Sequence, residues 1–170
     1  MLIGKELTTA MNAQVGSELA ASNQYIIIAS YFDSEQLPEL ADFFFRQSDE
    51  ERMHALKFVH YILEAGGDVS IPAIDETPQT LDSAENAVKA ALDWELEVTS
   101  QINNIMDLAI KQNDHLAQSF MRWFIDEQLE EVSTMDNLLG VVRRAGEQLL
   151  LVEEYLVRRG DPHAQEAGAE

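Results

Sequence analysis

Cysteine is missing from all 170 residues. That absence excludes disulfides, Cys-ligated zinc, iron–sulfur clusters and thiolate nucleophiles together, and it fits a reducing compartment. Basic side chains are scarce: 11 Lys and Arg stand against 31 Asp and Glu, a formal charge of −20. This balance argues against nucleic acid and anionic membrane surfaces as partners. It favours cations as ligands, or plain solubility. No apolar run approaches the roughly 18 residues that cross a bilayer, so no membrane partner is expected. Residues 1–10 hold no apolar signal segment, which makes the cytoplasm the expected location. Strand signals, low-complexity tracts and strict internal repeats are also lacking.

What the chain does have is 46% apolar residues, enough for a buried core in one domain, and they recur with a helical period. The expected fold is all-α: four long helices and a short fifth over residues 1–160, then a loose polar tail at 161–170. The first helix runs from about Gly4 to Phe32, with an inward stripe of Met11, Val15, Glu18, Ala21, Tyr25, Ala29 and Phe32. The second starts at Pro38, a good first-turn residue, and stops at Gly66-Gly67. Its stripe reads Leu40, Phe44, Gln47, Glu51, His54, Phe58, Tyr61, Ala65. Residues Gly67 to Gln79 carry Pro72 and Pro78 and no helical period. Such a linker reaches about 45 Å when extended, and a helix of this length is about 42 Å long, so it permits a crossover along the whole bundle. Thr80 or Asp82 caps the third helix, whose stripe is Ala84, Val88, Ala91, Glu95, Val98, Ile102, Ile105, Ala109. The sequence Gln112-Asn113-Asp114 ends it and caps the fourth, with Ala117, Phe120, Phe124, Gln128, Glu131, Met135, Leu138 and Val142 inward. Gly146 stops that helix, and a Leu-rich fifth follows over about Glu147 to Arg158.

Every long helix therefore breaks its apolar stripe with one carboxylate near mid-length: Glu18, Glu51, Glu95 and Glu131. His54 follows Glu51 one turn on, on the same face. Taken alone, E-x-x-H is common in helices and is met equally by an exposed or core-satisfied pair. Four carboxylates at one depth are another matter, because as satisfied core residues they would face one another as like charges. Burying any one of them unpaired costs several kcal/mol, roughly. Two divalent cations balance four carboxylates. A donor set rich in oxygen with a single imidazole suits iron or manganese better than a closed structural zinc site, and Glu51 is placed to bridge the two ions.

The residues Gly16-Ser17-Glu18-Leu19, Tyr25, Glu50-Glu51-x-x-His54, Glu95 and Trp123-Phe124-x-x-Glu127-Gln128-x-x-Glu131 make the chain resemble a prokaryotic non-haem ferritin of the ferritin-like di-iron four-helix bundle superfamily, over nearly its whole length. The resemblance implies a ferroxidase that oxidises Fe(II) with O2 or H2O2 and deposits ferric mineral in a hollow shell of 24 copies. It implies Glu18, Glu51 and His54 around the first iron and Glu51, Glu95 and Glu131 around the second, with Gln128 close by, either as a weak ligand or one step behind the ligands. Glu50, Glu127 and Glu130 match the acidic positions of a third iron site, or form a solvated acidic face. Tyr25 is either a redox-active tyrosine or a core aromatic bonded to a carboxylate, and Trp94 and Trp123 read as packing residues. The fourth helix carries Gln128-x-x-Glu131 where related bundles carry E-x-x-H, so the centre is expected to be asymmetric. A bacterioferritin has a haem-ligating Met directly after the bridging Glu; here that position is Arg52 and Met53 is one residue off, so no haem is expected.

Consecutive Ile26-Ile27-Ile28 and Phe43-Phe44-Phe45 spread apolar surface over more than the one stripe a bundle buries, which points to a homo-oligomer. The fifth helix is either part of that assembly or local packing over the bundle end. The competing reading is a di-metal oxidase or peroxidase on the same bundle, without mineral storage.

Overall fold

The computed structural model describes residues 2–77 and 81–160. These residues form five helices: α1 (Lys5–Ser34), α2 (Pro38–Glu64), α3 (Ala84–Lys111), α4 (His115–Ala145) and α5 (Leu150–Arg159). No strand occurs among the described residues. The expected tail and the Thr80 cap lie outside them. Boundaries follow local chemistry. Pro38 opens α2 and Gly66 closes it at φ 78, a left-handed conformation that glycine adopts freely. Ser83 caps α3 by accepting the Asn86 N–H at 3.1 Å, in place of the expected Asp82; a serine hydroxyl directly before the first turn reaches that donor best. Asp114 accepts the Ala117 N–H at 2.9 Å and caps α4 as its sequence suggests. The fifth helix begins at Leu150, three residues later than the pattern from Glu147 implied.

Side-chain pairs give the topology. Ser22 bonds the Ser48 carbonyl at 2.8 Å and Phe32 stacks on Phe44, so α1 and α2 run antiparallel. Gln112 reaches Glu6, Ser17 meets Gln101 at 2.6 Å and Tyr25 bonds Glu95, so α1 and α3 are antiparallel too. Phe58 on Phe124 and Tyr61 on Phe120, with ring centroids 4.1 Å apart, set α2 against α4 in the same sense. It follows that α2 and α3 point the same way, and the chain between them must travel the length of the bundle. That crossover is fastened to α1. The Asn12 amide donates to the Asp68 carbonyl at 2.9 Å and accepts the Ser70 N–H at 2.8 Å. At Gly16 the crossover comes so close that a Cβ there would sit 2.4 Å from Pro72 Cγ.

The apolar stripes of α1 and α3 are buried as expected. In α2 and α4 the inward positions include Ile62 and Met121, and Tyr61 and Phe120 are only half-buried, because each stripe drifts round its helix over seven turns. The core falls into two separate apolar halves. One surrounds Tyr25, Phe32 and Phe44, and the other surrounds Leu7, Phe58 and Phe124. Between them lies a polar layer. Ile28, Phe43 and Phe44 are buried, whereas Ile26 and Phe45 are 43% and 42% exposed, so both apolar runs do extend beyond the core.

Candidate metal centre

The polar layer is made by one stretch of each long helix. Glu18 of α1, Glu51 and His54 of α2, Glu95 of α3 and Glu131 of α4 are all buried, each 5% exposed or less. Their ligand atoms converge in two groups. Oxygen atoms of Glu18 and Glu51 and a nitrogen of His54 lie within 4.8 Å of one another, and so do carboxylate oxygens of Glu51, Glu95 and Glu131. Glu51 belongs to both groups. Each residue reaches the layer because its helix has its apolar stripe turned inward, so a polar residue in register on that stripe has nowhere else to point.

Electrostatics are severe in this layer. Burial pushes the Glu18 carboxyl from 4.5 up to about 7, even though hydrogen bonds from Glu51 and Gln14 pull it down. Glu51 is raised well above the carboxylate range by burial and by the charges of Glu95, Glu18 and Glu131. Burial also raises Glu95, against hydrogen bonds from Tyr25 and Gln128. Glu131 is raised strongly by burial, then by Glu95, Glu50, Glu127 and Glu130, and its Oε1 is buried without a hydrogen-bond donor among the described residues. Tyr25 is held neutral well above its ordinary pKa by burial and the surrounding carboxylates, so its hydroxyl donates to Glu95.

The other expected residues take distinct places. Gln128 is buried and donates its amide to Glu95 Oε2 at 3.1 Å, to the Glu95 carbonyl at 3.2 Å and to Thr99 Oγ1 at 3.2 Å. It holds Glu95 from α4. Glu127 stands 3.8 Å from His54 Nε2 and forms a third converging group with His54 and Glu131. Glu50 and Glu130 join no such group among the described residues, although both act on Glu131 by charge. Trp123 packs its edge on the His54 ring, 5.4 Å between centroids, with the Lys57 ammonium 3.8 Å over its own ring. Met53 is 59% exposed and points away from the layer.

Sequence reasoning passed over Gln14, which donates to Glu18 Oε1 at 3.0 Å, and Thr99. The available signal was spacing: Gln14 lies four residues before Glu18 and Thr99 four after Glu95, one turn away on the same face. Gln47 was visible as a polar break in the α2 stripe. Its amide nitrogen bonds Glu50 and its buried Oε1 meets no donor among the described residues. Two three-donor groups that share one carboxylate can hold two cations side by side, with Glu51 between them.

Comparison with known proteins places the chain in a family. A ferritin-like domain family model matches residues 8–145. The chain is 41% identical over 159 residues to Ferritin BfrB of Mycolicibacterium smegmatis, covering 91% of this chain and 88% of that protein. It is 33% identical over 161 residues to a bacterial non-heme ferritin of Staphylococcus epidermidis, covering 93% and 97%. The open pore ferritin of the hyperthermophilic archaeon Archaeoglobus fulgidus superposes with a TM-score of 0.88 at 30% identity, over 91% of this chain and 96% of that one.

Proposed function

The chain belongs to the ferritin family, and from that premise we propose that it oxidises Fe(II) at this centre and stores the ferric product inside a hollow shell of its own copies. The observation that carries the reading is Glu51, a buried carboxylate shared by two groups of metal-ligand atoms. The residues fit iron. Four carboxylates match the charge of two Fe(II), the donors are oxygen with one imidazole, and a cation would give the orphaned Glu131 Oε1 the positive partner it lacks. In this reading Glu18, Glu51 and His54 bind one substrate iron, and Glu51, Glu95 and Glu131 bind the other. Gln128 and Tyr25 hold Glu95 in place from two sides. Glu127 offers a third position for iron next to His54 and Glu131, with Glu50 and Glu130 adding their charge at Glu131.

Each Fe(II) gives up one electron. With O2 as oxidant, two electrons and two protons yield H2O2; with H2O2, two electrons and two protons yield two waters. The protein's share is to place both irons at one distance from each other and to neutralise their charge with carboxylates that give up their protons as the irons bind. Ferric ions then hydrolyse to oxyhydroxide, release protons and leave the centre. The net negative charge of the chain draws Fe(II) inward and favours mineral nucleation. Apolar side chains outside the core, Ile26 and Phe45 among them, supply contact surface for the shell, which by family resemblance has 24 copies.

Anaerobic Fe(II) titration followed by O2 addition tests this on protein of measured assembly mass. The expected result is a fast absorbance phase saturating near two Fe(II) per chain, one per donor group, then slow mineral growth in a large assembly. Glu51→Ala should abolish the fast phase. A fast phase that survives unchanged in that variant refutes the site.

A further inference from the structure

The fifth helix contains a carboxylate placed like those of the metal centre. Its inward stripe is Leu149, Val152, Glu153 and Leu156, at the spacing of one helix face. Glu153 is buried on that stripe, 9% exposed. It joins no converging group of metal-ligand atoms among the described residues. Glu153 Oε2 accepts the Glu39 N–H and Oε1 accepts the Leu40 N–H, each at 2.9 Å.

Those two donors are the first free N–H groups of α2. A helix start leaves its leading N–H groups without partners in the helix, and a side chain just before the first turn commonly takes them. In α2 that position is Leu37, which has no side-chain acceptor. Pro38 has no N–H, and Ala41 N bonds the Leu37 carbonyl at 3.0 Å. Glu39 and Leu40 are the donors left over, and a residue more than a hundred positions away supplies both acceptors. The carboxylate also faces the positive end of the α2 dipole.

We propose that Glu153 is the latch that fixes α5 on the bundle and so decides which face of α5 is free. The other inward contacts are weak in number: Val152 is fully buried, Leu149 and Leu156 only partly. On the opposite side Leu150, Leu151 and Val157 stand 72%, 51% and 62% exposed. A two-point carboxylate bond gives a defined orientation that a slide of leucines over an apolar surface does not. With the latch closed, the outward leucines are presented in one direction to a further copy of the chain. This last step rests on the shell reading above; the latch itself does not.

The test is hydrogen exchange by mass spectrometry on the assembled protein and on Glu153→Ala, Glu153→Gln and Glu154→Ala, with assembly mass measured beside it. Glu153→Gln keeps size and fold but turns an N–H donor toward an N–H donor. Both Glu153 variants should exchange at least about tenfold faster in the first turn of α2 and throughout α5, while amides at mid-bundle keep wild-type protection. Glu154→Ala, whose side chain pairs with exposed Arg158, should match wild type. Wild-type exchange in both segments of Glu153→Gln overturns the latch, and so does an equal acceleration over the whole bundle, which would make Glu153 a general stability residue. If exchange rises locally but assembly mass and iron mineralisation hold, the latch stands and its link to the shell fails; absence of Fe(II) oxidation in the wild type counts against the function and leaves the latch intact.

Discussion

Replacing Glu51 by Gln should make the metal-free protein more stable while destroying its cation binding. The reasoning starts from burial. Glu51 is 2% exposed, and burial plus Glu95, Glu18 and Glu131 raise its pKa well above 4.5. Without a cation the folded protein favours the neutral form of this carboxyl far above the pH at which a free one ionises. Protonating an acid of ordinary pKa 4.5 at pH 7 costs about 3 kcal/mol, at 1.36 kcal/mol per pH unit. Glutamine has nearly the same shape, carries no charge and can donate to Glu18 as the protonated acid does, so it avoids that cost. The gain is up to about 3 kcal/mol at pH 7 and shrinks to nothing near pH 4.5. For a chain of this size each kcal/mol moves the melting temperature by roughly 2–4 °C. The assay is thermal unfolding of metal-free wild type and Glu51→Gln at pH 4.5 and 7, with and without excess Co(II). The variant should melt higher than wild type at pH 7 and equal to it at pH 4.5, and Co(II) should raise only the wild type. A variant that melts lower at pH 7 and still gains from Co(II) would show Glu51 to be an ordinary structural residue, and the reasoning would fail.

Three other outcomes follow from the same geometry. The Glu18 carboxyl, raised to about 7 in the fold, binds a proton more tightly folded than unfolded; its contribution to metal-free stability is complete below pH 4.5 and lost as pH rises through about 7, and cation binding must release protons, which calorimetry in buffers of different ionisation enthalpy will read as affinity falling steeply below pH 7. Tyr25→Phe removes the donor to Glu95 and should lower stability by about 1–2 kcal/mol in denaturant titration while leaving two Co(II) per chain; an unchanged midpoint would deny that hydrogen bond. Gly16→Ala places a methyl 2.4 Å from Pro72 Cγ and 3.1 Å from its Cδ, so the crossover must shift; a loss of about 1–3 kcal/mol and faster proteolysis between residues 67 and 77 are expected.

Much of this protein was determined by its sequence alone, because the period of an amphipathic helix is a local property. The four long stripes, the Gly66 and Gly146 stops, and the crossover length follow from neighbours a turn apart. So does the candidate centre: a carboxylate in register on an apolar stripe must point inward, and four of them, Glu18, Glu51, Glu95 and Glu131, must meet. Long-range partners were beyond that logic. Spacing puts Gln14 one turn from Glu18, but it could not tell that Gln128 bonds Glu95 while Glu127 turns to His54. Glu153 shows the limit best. By the stripe rule it is one more buried carboxylate, and the rule offers a cation for it. The fold gives it the bare N-terminus of α2 instead, because only the packing of α5 decides whether the positive partner of a buried charge is an ion or a helix end.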